Sequence, residues 1–375
     1  MSTTNPTSVL LAGGGTAGHV SPLLALADCL RRRHPGITIT ALGTETGLES
    51  RLVPDRGYPL LTVPKVPLPR KPSGDLLRLP TNLRGAVRAA ERAIQQTGAQ
   101  VVVGFGGYVS TPAYLAARRC HVPVVVHEQN ARPGLANRVG ARMTTHVATT
   151  FPSTRLAHAT AIGMPLRSEI AHLDRAATRA EGLAHFGLED HHPTLLVTGG
   201  SLGAQRLNAT FEASAAQLRA GGVQVLHLTG AGKEFTPSTD GDGPPYVVAP
   251  YTDRMDLAYA AADLVVARAG ANTVCELTAV GLPAVYVPLP IGNGEQQFNA
   301  ADVVEAGGGI IVDDPQATPE WVGSTLVPLL TDPARIDAMA AAAAAVGERG
   351  ADELLADMVE AALAESQAAP GEVRP

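Results

Sequence analysis

Val9-Leu10-Leu11-Ala12-Gly13-Gly14-Gly15-Thr16-Ala17-Gly18-His19-Val20-Ser21-Pro22 decides how the chain folds: an apolar run, a glycine turn, then the start of a helical pattern. Four apolar residues in a row suit a strand buried on both faces, and the glycines let the backbone turn sharply and approach a ligand closely. A helix opening there aims its free N–H groups and the positive end of its dipole at the same point, which makes an anion site. Gly13-x-Gly15-x-x-Gly18 also matches the dinucleotide fingerprint. A nicotinamide enzyme would hold the ribose with an acid at the end of the second strand, whereas Leu42-Gly43-Thr44 stands there and Glu45 comes late. The dehydrogenase reading is disfavoured on that ground. A merely tight turn explains the glycines but not His19, which sits in the first helical turn beside any bound phosphate or sugar hydroxyl. A helix N-terminus favours neutral imidazole, so His19 is a candidate general base; a histidine satisfying a nearby carbonyl is the equal alternative.

Outward from this motif the chain keeps a strand-helix rhythm. A helix from Pro22 to Arg33 leads to a strand at Ile37 to Leu42 and a helix at Leu48 to Arg56, and strands recur at Val101 to Val103, Val122 to Val126 and Thr145 to Thr149. That alternation implies a parallel sheet. The same grammar restarts at Thr194 to Val197, which runs into Gly199-Gly200-Ser201-Leu202-Gly203 and a helix from Gln205. At 375 residues the chain exceeds one ordinary core, so the expectation is α/β with two Rossmann-like doubly wound domains facing across a cleft. Expected boundaries are residues 1–164, 165–345, a C-terminal helix at 346–365 packing back on the first domain, and a disordered tail at 366–375.

The bulk numbers narrow the function. A net charge of −6 gives no reason to expect nucleic-acid binding. Cys29, Cys120 and Cys275 lie far apart without metal-ligand spacing and read as buried thiols. Asp313-Asp314-Pro315 reads as a turn, and neither a metal nor a cofactor is expected. The short polar start Met1 to Thr7 does not resemble an export signal, and no apolar run approaches the roughly 20 residues that span a bilayer, so a cytosolic or membrane-surface protein is expected. Residues 65–92 hold Lys65, Arg70, Lys71, Arg78, Arg84, Arg88 and Arg92 against Asp75 and Glu91, interleaved with Leu68, Leu76, Leu77, Leu79 and Leu83. Such a segment suits an anionic membrane surface, or else an ordinary solvated helix and loop. The loops Pro64 to Pro72 and Phe235 to Pro245 are expected to be mobile.

Further loops follow strands and share the carboxyl-end rim with His19: Gly104-Phe105-Gly106-Gly107-Tyr108 and His127-Glu128-Gln129-Asn130. Arg167, where the first domain ends, suits diphosphate oxygens or a plain linker equally. In the second half, Ser201 lies in a loop suited to a leaving diphosphate. Ala271, Asn272 and Thr273 open a helix whose Glu276 could accept from ribose hydroxyls or simply favour its own helix dipole. Glu295 and Gln296 at the next junction suit sugar hydroxyls.

Taken together, Gly14 to Pro22, Gly106 to Ser110, His127 to Asn130, Gly199 to Ala204 and Gly270 to Glu276 closely resemble the MurG family, bacterial UDP-N-acetylglucosamine transferases acting on lipid I. The resemblance runs from about Val9 to Ala306 in unbroken motif order. It implies the GT-B fold and an inverting reaction forming lipid II with a β-1,4 link for peptidoglycan synthesis, with UDP-GlcNAc in the C-terminal domain and lipid I in the N-terminal one. It places Thr16, Ala17, Gly18, Asn130, Arg167, Ser201 and Gln296 at donor-contacting positions, Glu276 at the ribose and Thr252 near uracil through its backbone. His19 matches the family's proposed base, with Tyr108 and Glu128 as catalytic neighbours on the acceptor side. The implied location is the cytoplasmic face of the cell membrane, as a peripheral protein among other cell-wall synthesis proteins. Two departures stand out: Ala17 where many relatives carry glycine, and Glu295 where relatives often have an amide or histidine. The alternatives are a UDP-GlcNAc 2-epimerase on the same architecture and a non-catalytic, membrane-docked UDP-GlcNAc sensor.

Overall fold

The computed structural model describes residues 5–66, 75–200, 203–238, 242–290 and 294–368, with the side chains of 75–79 left aside. It divides into two units, Met1–Arg167 with Gly350–Pro375, and Ser168–Arg349. The division falls after Arg167 rather than after residue 164.

The first unit is a parallel sheet of seven strands: β1 Ser8–Ala12, β2 Thr38–Gly43, β3 Leu60–Thr62, β4 Val101–Gly104, β5 Val124–Glu128, β6 Val147–Thr149 and β7 Ala159–Ala161. Their order is β3-β2-β1-β4-β5-β6-β7. Val9 pairs with Ile39 on one side and Val101 on the other, so β1 is central, and all five of its residues are buried. Alternate side chains of β1 feed two cores, as the two-residue strand period requires. Val9 and Leu11 pack with Leu23, Leu26 and Leu30 of α1, Ala17–Arg33, and with Leu355, Val359 and Leu363 of the C-terminal helix Ala351–Ala368. Leu10 and Ala12 pack with Val87, Ala90 and Ile94 of the helix Asp75–Thr97 and with Ala113 and Tyr114 of Gly107–Arg119. Each buried Val, Leu or Ile among them contributes about 1.5–3 kcal/mol.

The C-terminal helix is held by charge as well as by packing. Arg33 pairs with Glu353 and Asp357, each at 2.6 Å, and Arg32 with Asp352 at 2.9 Å, while a hydrogen bond of 3.1 Å joins His146 Nε2 and Glu365. The helix continues to Ala368, so Ser366, Gln367 and Ala368 are helical rather than part of a disordered tail, while 369–375 lie outside the described residues. Helix α1 begins at Ala17 rather than Pro22, because Thr16 already accepts the N–H groups of His19 and Val20. Of the cysteines only Cys29 is fully buried, its thiol pushed up to about 12 by burial and the acids of the C-terminal helix; Cys120 and Cys275 are half-buried.

The second unit repeats the plan with six parallel strands: β8 Thr194–Thr198, β9 Gln224–Leu228, β10 Tyr246–Ala249, β11 Leu264–Ala267, β12 Ala284–Tyr286 and β13 Gly309–Ile311, ordered β10-β9-β8-β11-β12-β13. In both sheets the first strand of the unit lies between the second and the fourth, so the connections leave it in opposite directions. The crevice at such a switch point, outside the carboxyl ends of the strands, is where open α/β sheets bind ligands. The loops after β1 and β4 line it in one unit, and those after β8 and β11 in the other.

Candidate functional site

In the first unit the loops after β1 and β4 touch through glycine. Gly106 and Gly107 have φ of +93° and +77°, which side chains rarely adopt, and a Cβ on Gly107 would lie 2.6 Å from the Gly14 carbonyl oxygen. Ser110 fastens the arrangement, donating to the Ala12 carbonyl at 3.0 Å and accepting the Gly106 N–H at 2.8 Å.

His19, third residue of α1, lies where these loops meet. Its Nδ1 is 3.1 Å from the Gly14 carbonyl oxygen, which can only accept, so Nδ1 carries the proton and the Thr16 hydroxyl oxygen, also at 3.1 Å, shares it. Neutral His19 therefore keeps its lone pair on Nε2, the nitrogen that faces the Gly106 loop; a Cβ on Gly106 would stand 3.2 Å from it. Burial holds the imidazole below its ordinary pKa, opposed by the Gly14 bond and by the charge of Glu49. Both readings of His19 thus meet in one ring: one nitrogen satisfies a carbonyl and the other remains a base.

Glu49, opening the short helix Glu49–Asp55, was missed as a site residue. It is fully buried, and its carboxylate accepts the Gly15 N–H, the Thr44 N–H and the Thr44 hydroxyl, each at 2.8 Å. Burial raises its pKa, but these bonds outweigh that and leave it below the ordinary value. Cβ atoms on Gly14, Gly43 or Gly47 would collide with this side chain, at 2.3, 2.4 and 2.1 Å. Those glycines make room for an internal carboxylate, and the Gly15 N–H expected to meet a ligand anion meets Glu49 instead. The signal was available: Thr44 and Glu49 lie five residues apart at the end of the second strand, where a ribose-binding acid would otherwise stand.

Glu128 also differs from expectation. It is 2% exposed, with one oxygen accepting the Asn130 N–H at 2.9 Å and the other accepting Gly134 N–H at 2.9 Å and Asn137 Nδ2 at 3.0 Å. Burial raises its pKa against these bonds. It therefore clamps the loop carrying Asn130 rather than presenting a free carboxylate. Its neighbour His127 donates from Nε2 to the Gly163 carbonyl at 3.0 Å and is held down to about 4 by burial, which makes it structural. Tyr108 is 43% exposed in the first turn of Gly107–Arg119, with the Lys65 ammonium 5.2 Å from its ring centre. Arg167 is half-buried at the end of the unit.

In the second unit the Gly200 N–H donates to the Thr198 hydroxyl oxygen at 3.2 Å. Gly203 has φ +65° and passes so close to β9 that a Cβ would lie 2.1 Å from the Thr229 carbonyl oxygen. The helix Gln205–Ala213 follows from Ala204, which supplies no side-chain cap. Ser201 lies outside the described residues. Across the switch point, Gly270 likewise leaves the helix Ala271–Ala279 without a side-chain cap, and Ala271, Asn272 and Thr273 form its first turn. Glu276, one turn on, accepts from the Tyr259 hydroxyl at 2.8 Å. Tyr259 was not anticipated, since nothing in the sequence pairs it with Glu276. Arg268 is turned inward, donating to Asp314 and to the Val287 carbonyl at 3.1 Å, so Asp314 is a buried ion-pair partner in a short 3₁₀ turn. Gln296 accepts the Leu289 N–H at 2.8 Å and Glu295 opens a five-residue helix after Gly294, whose φ is +73°. Thr252 is buried and accepts the Arg254 N–H at 3.0 Å.

The glycosyltransferase family 28 N-terminal domain matches residues 9–149, and the family 28 C-terminal domain matches residues 194–355. A UDP-N-acetylglucosamine--N-acetylmuramyl-(pentapeptide) pyrophosphoryl-undecaprenol N-acetylglucosamine transferase of Streptomyces avermitilis is 57% identical over 95% of this chain and 98% of its own. The chain belongs to the MurG family of glycosyltransferases. A Nocardioides relative with the same name is 59% identical over 94% of this chain and 97% of its own. The crystal structure of Acinetobacter baumannii MurG superposes with a TM-score of 0.76 at 30% identity, covering 95% of this chain and 100% of that one. With two parallel-sheet units of this family, the chain has the GT-B fold. The calicheamicin glycosyltransferase CalG4, at 20% identity and TM-score 0.66, shares that fold. The names favour neither the 2-epimerase nor the non-catalytic sensor.

Proposed function

We infer that this chain is the N-acetylglucosaminyltransferase its relatives are named for, moving N-acetylglucosamine from UDP-GlcNAc to undecaprenyl-pyrophosphoryl-MurNAc-pentapeptide. The observation that carries the chemistry is His19, whose Nδ1 is committed to a carbonyl while Nε2 faces the switch point of its sheet. In this reading Nε2 takes the proton of the C4 hydroxyl of MurNAc as that oxygen bonds to the anomeric carbon of the donor. The bond from that carbon to the diphosphate oxygen breaks, UDP leaves with the electron pair, and the configuration inverts. Charge on the leaving diphosphate falls to the uncapped helix starts at Gln205 and Ala271, with Arg167 assisting. Glu276 takes the ribose; Thr16, Ala17, Gly18, Asn130, Ser201, Thr252, Ala271, Asn272, Thr273, Glu295 and Gln296 remain donor-contact assignments. Tyr108 stays on the acceptor side, and Glu128 supports the Asn130 loop.

No described helix is long and apolar enough to cross a membrane, yet the acceptor is a membrane lipid. We assign the approach to that surface, on its cytoplasmic side, to the segment 65–92. Arg84, Arg88 and Arg92 recur every four residues on Asp75–Thr97 and are all exposed, so they share one face of the helix. Arg70 and Lys71 lie outside the described residues, as do the side chains of Arg78 and Leu76. Replacing Arg84, Arg88 and Arg92 by Glu should abolish cosedimentation with vesicles containing anionic lipid and leave binding of UDP-GlcNAc intact; undiminished cosedimentation refutes the assignment. The transfer itself is tested with purified protein, labelled UDP-GlcNAc and lipid I, with an acceptor-free control. Labelled lipid II is expected, and label remaining only in the nucleotide sugar refutes the function.

A further inference from the structure

Glu49 and His19 hold opposite ends of one peptide group. The amide joining Gly14 to Gly15 donates its N–H to Glu49 Oε2 at 2.8 Å, and its carbonyl oxygen accepts from His19 Nδ1 at 3.1 Å. A carboxylate on the N–H end polarises an amide and makes its carbonyl a stronger acceptor, because hydrogen bonds in a chain reinforce one another. We propose that Glu49 is a positioning residue for the transfer reaction: through the Gly14–Gly15 peptide it fixes the His19 ring with Nδ1 protonated and Nε2 ready to accept the acceptor's proton. This rests on the reading of His19 as the base.

The architecture is built for the contact. Glu49 cannot be displaced by a small movement, since Gly14, Gly43 and Gly47 surround its side chain and Thr44 holds its second oxygen. Gly107 passes so close to the Gly14 carbonyl that a Cβ there would lie 2.6 Å from its oxygen. The groups facing the imidazole are the Thr16 hydroxyl on its own element, Glu49 from the following helix, and neutral Asn137, whose Nδ2 lies by Gly106 with Glu128 and the Tyr114 hydroxyl bonded behind it. Glu49 therefore supplies the charge that acts on the ring, and it favours the protonated form. The step balances without a further reactant: the proton moves from the acceptor hydroxyl to Nε2, and Glu49 keeps its charge throughout.

The test uses full-length protein with Glu49→Gln, Glu49→Asp, His19→Gln and the double variant Glu49→Gln with His19→Gln. Glu49→Gln should lower kcat about 10- to 100-fold with the KM for UDP-GlcNAc unchanged. It should also move the acid limb of the kcat/KM profile downward, because removing the carboxylate lets the imidazole lose its proton more easily. A merely loosened, hydrated ring would move that limb upward instead. In the His19→Gln background Glu49→Gln should cost nothing more. The ¹⁵N shifts of His19 report the tautomer without any turnover: Nδ1–H in the native protein, and a mixture in Glu49→Gln and in Glu49→Asp, whose shorter side chain cannot reach Gly15. If the glutamine variant does not fold, the aspartate variant carries the tautomer measurement. An unaltered tautomer, an upward shift of the limb, or full additivity with His19→Gln overturns the proposal. Native turnover in His19→Gln would instead overturn the base assignment, which the tautomer measurement does not depend on.

Discussion

Tyr259→Phe removes one oxygen from a fully packed position and tests the assignment of Glu276 to the ribose. Tyr259 is 2% exposed on the helix Met255–Ala261, and its hydroxyl lies 2.8 Å from Glu276 Oε2, on a different helix that opens at the β11 loop. The ring keeps its packing in the variant, so the change is the loss of one hydrogen bond to a half-buried carboxylate. Such bonds to charged groups are worth about 1.5–3 kcal/mol by mutation, and part of that returns because half-buried Glu276 regains water. We take ~1–1.4 kcal/mol as the surviving cost of ordering Glu276 for the donor, which is about a five- to tenfold rise in the KM for UDP-GlcNAc. The chemical step does not involve this pair, so kcat should stay within about twofold of native, the signature of lost uniform binding. Initial rates against UDP-GlcNAc at saturating lipid I give both constants, and a thermal melt confirms the fold. The decisive comparison adds Glu276→Ala: once the carboxylate is gone, Tyr259→Phe should no longer alter KM. An unchanged KM in the single variant, or full additivity in the double, refutes the role given to this pair.

His19→Gln should reduce kcat by about 10²–10⁴-fold with donor affinity nearly intact, measured by lipid II formation and UDP-GlcNAc titration. Because burial lowers the imidazole pKa and the base acts when neutral, the native acid limb of kcat/KM should lie below the ordinary histidine value of 6.5, activity falling only as pH drops through it. A limb at or above that value contradicts the described environment. Gly203→Ala should raise the donor KM at least about tenfold or prevent folding, since both φ +65° and a 2.1 Å approach to the Thr229 carbonyl oppose a side chain, and a left-handed residue alone costs about 1–2 kcal/mol. Leu355→Ala should lower unfolding free energy by about 2–5 kcal/mol in urea, as Leu355 of the C-terminal helix is fully buried on the first sheet.

The strand-helix rhythm and both glycine loops were legible because they depend on local rules: apolar runs, sharp turns and helix starts. Residues whose roles depend on the path the chain takes between elements were not. Tyr259 and Glu276 stand on separate helices, and only the β8-β11-β12 order brings those helices together. The clamp made by Glu128 was not legible because its partners Gly134 and Asn137 sit at the start of and within the short helix Leu135–Gly140, whose path composition does not reveal. Arg268 stands at a strand end, and nothing local shows that Asp314, in a segment that reads as a plain turn, draws it inward. The tail expected from Ser366 on was partly helix because that helix is seated on the first core through Leu355, Val359 and Leu363, contacts that span most of the chain.

One topology used twice invites the expectation that both glycine loops do the same work, and the hydrogen bonds argue otherwise. In the first unit the Gly15 N–H is taken by an internal, ionised carboxylate, and negative charge there repels a ligand diphosphate approaching the same peptide. In the second, the Gly200 N–H rests on the neutral Thr198 hydroxyl, and the helix beginning at Gln205 has its first-turn N–H groups uncapped by any side chain of Ala204. These bonds disfavour an anion beside Gly15 in the first loop, and they support the proposal that the second loop takes the diphosphate. A base needs the opposite surroundings from a diphosphate, since nearby negative charge raises its affinity for a proton. On the proposed reading of His19 as the base, Glu49 converts a phosphate-binding turn into its seat, and the two loops diverge through one carboxylate and the glycines that accommodate it.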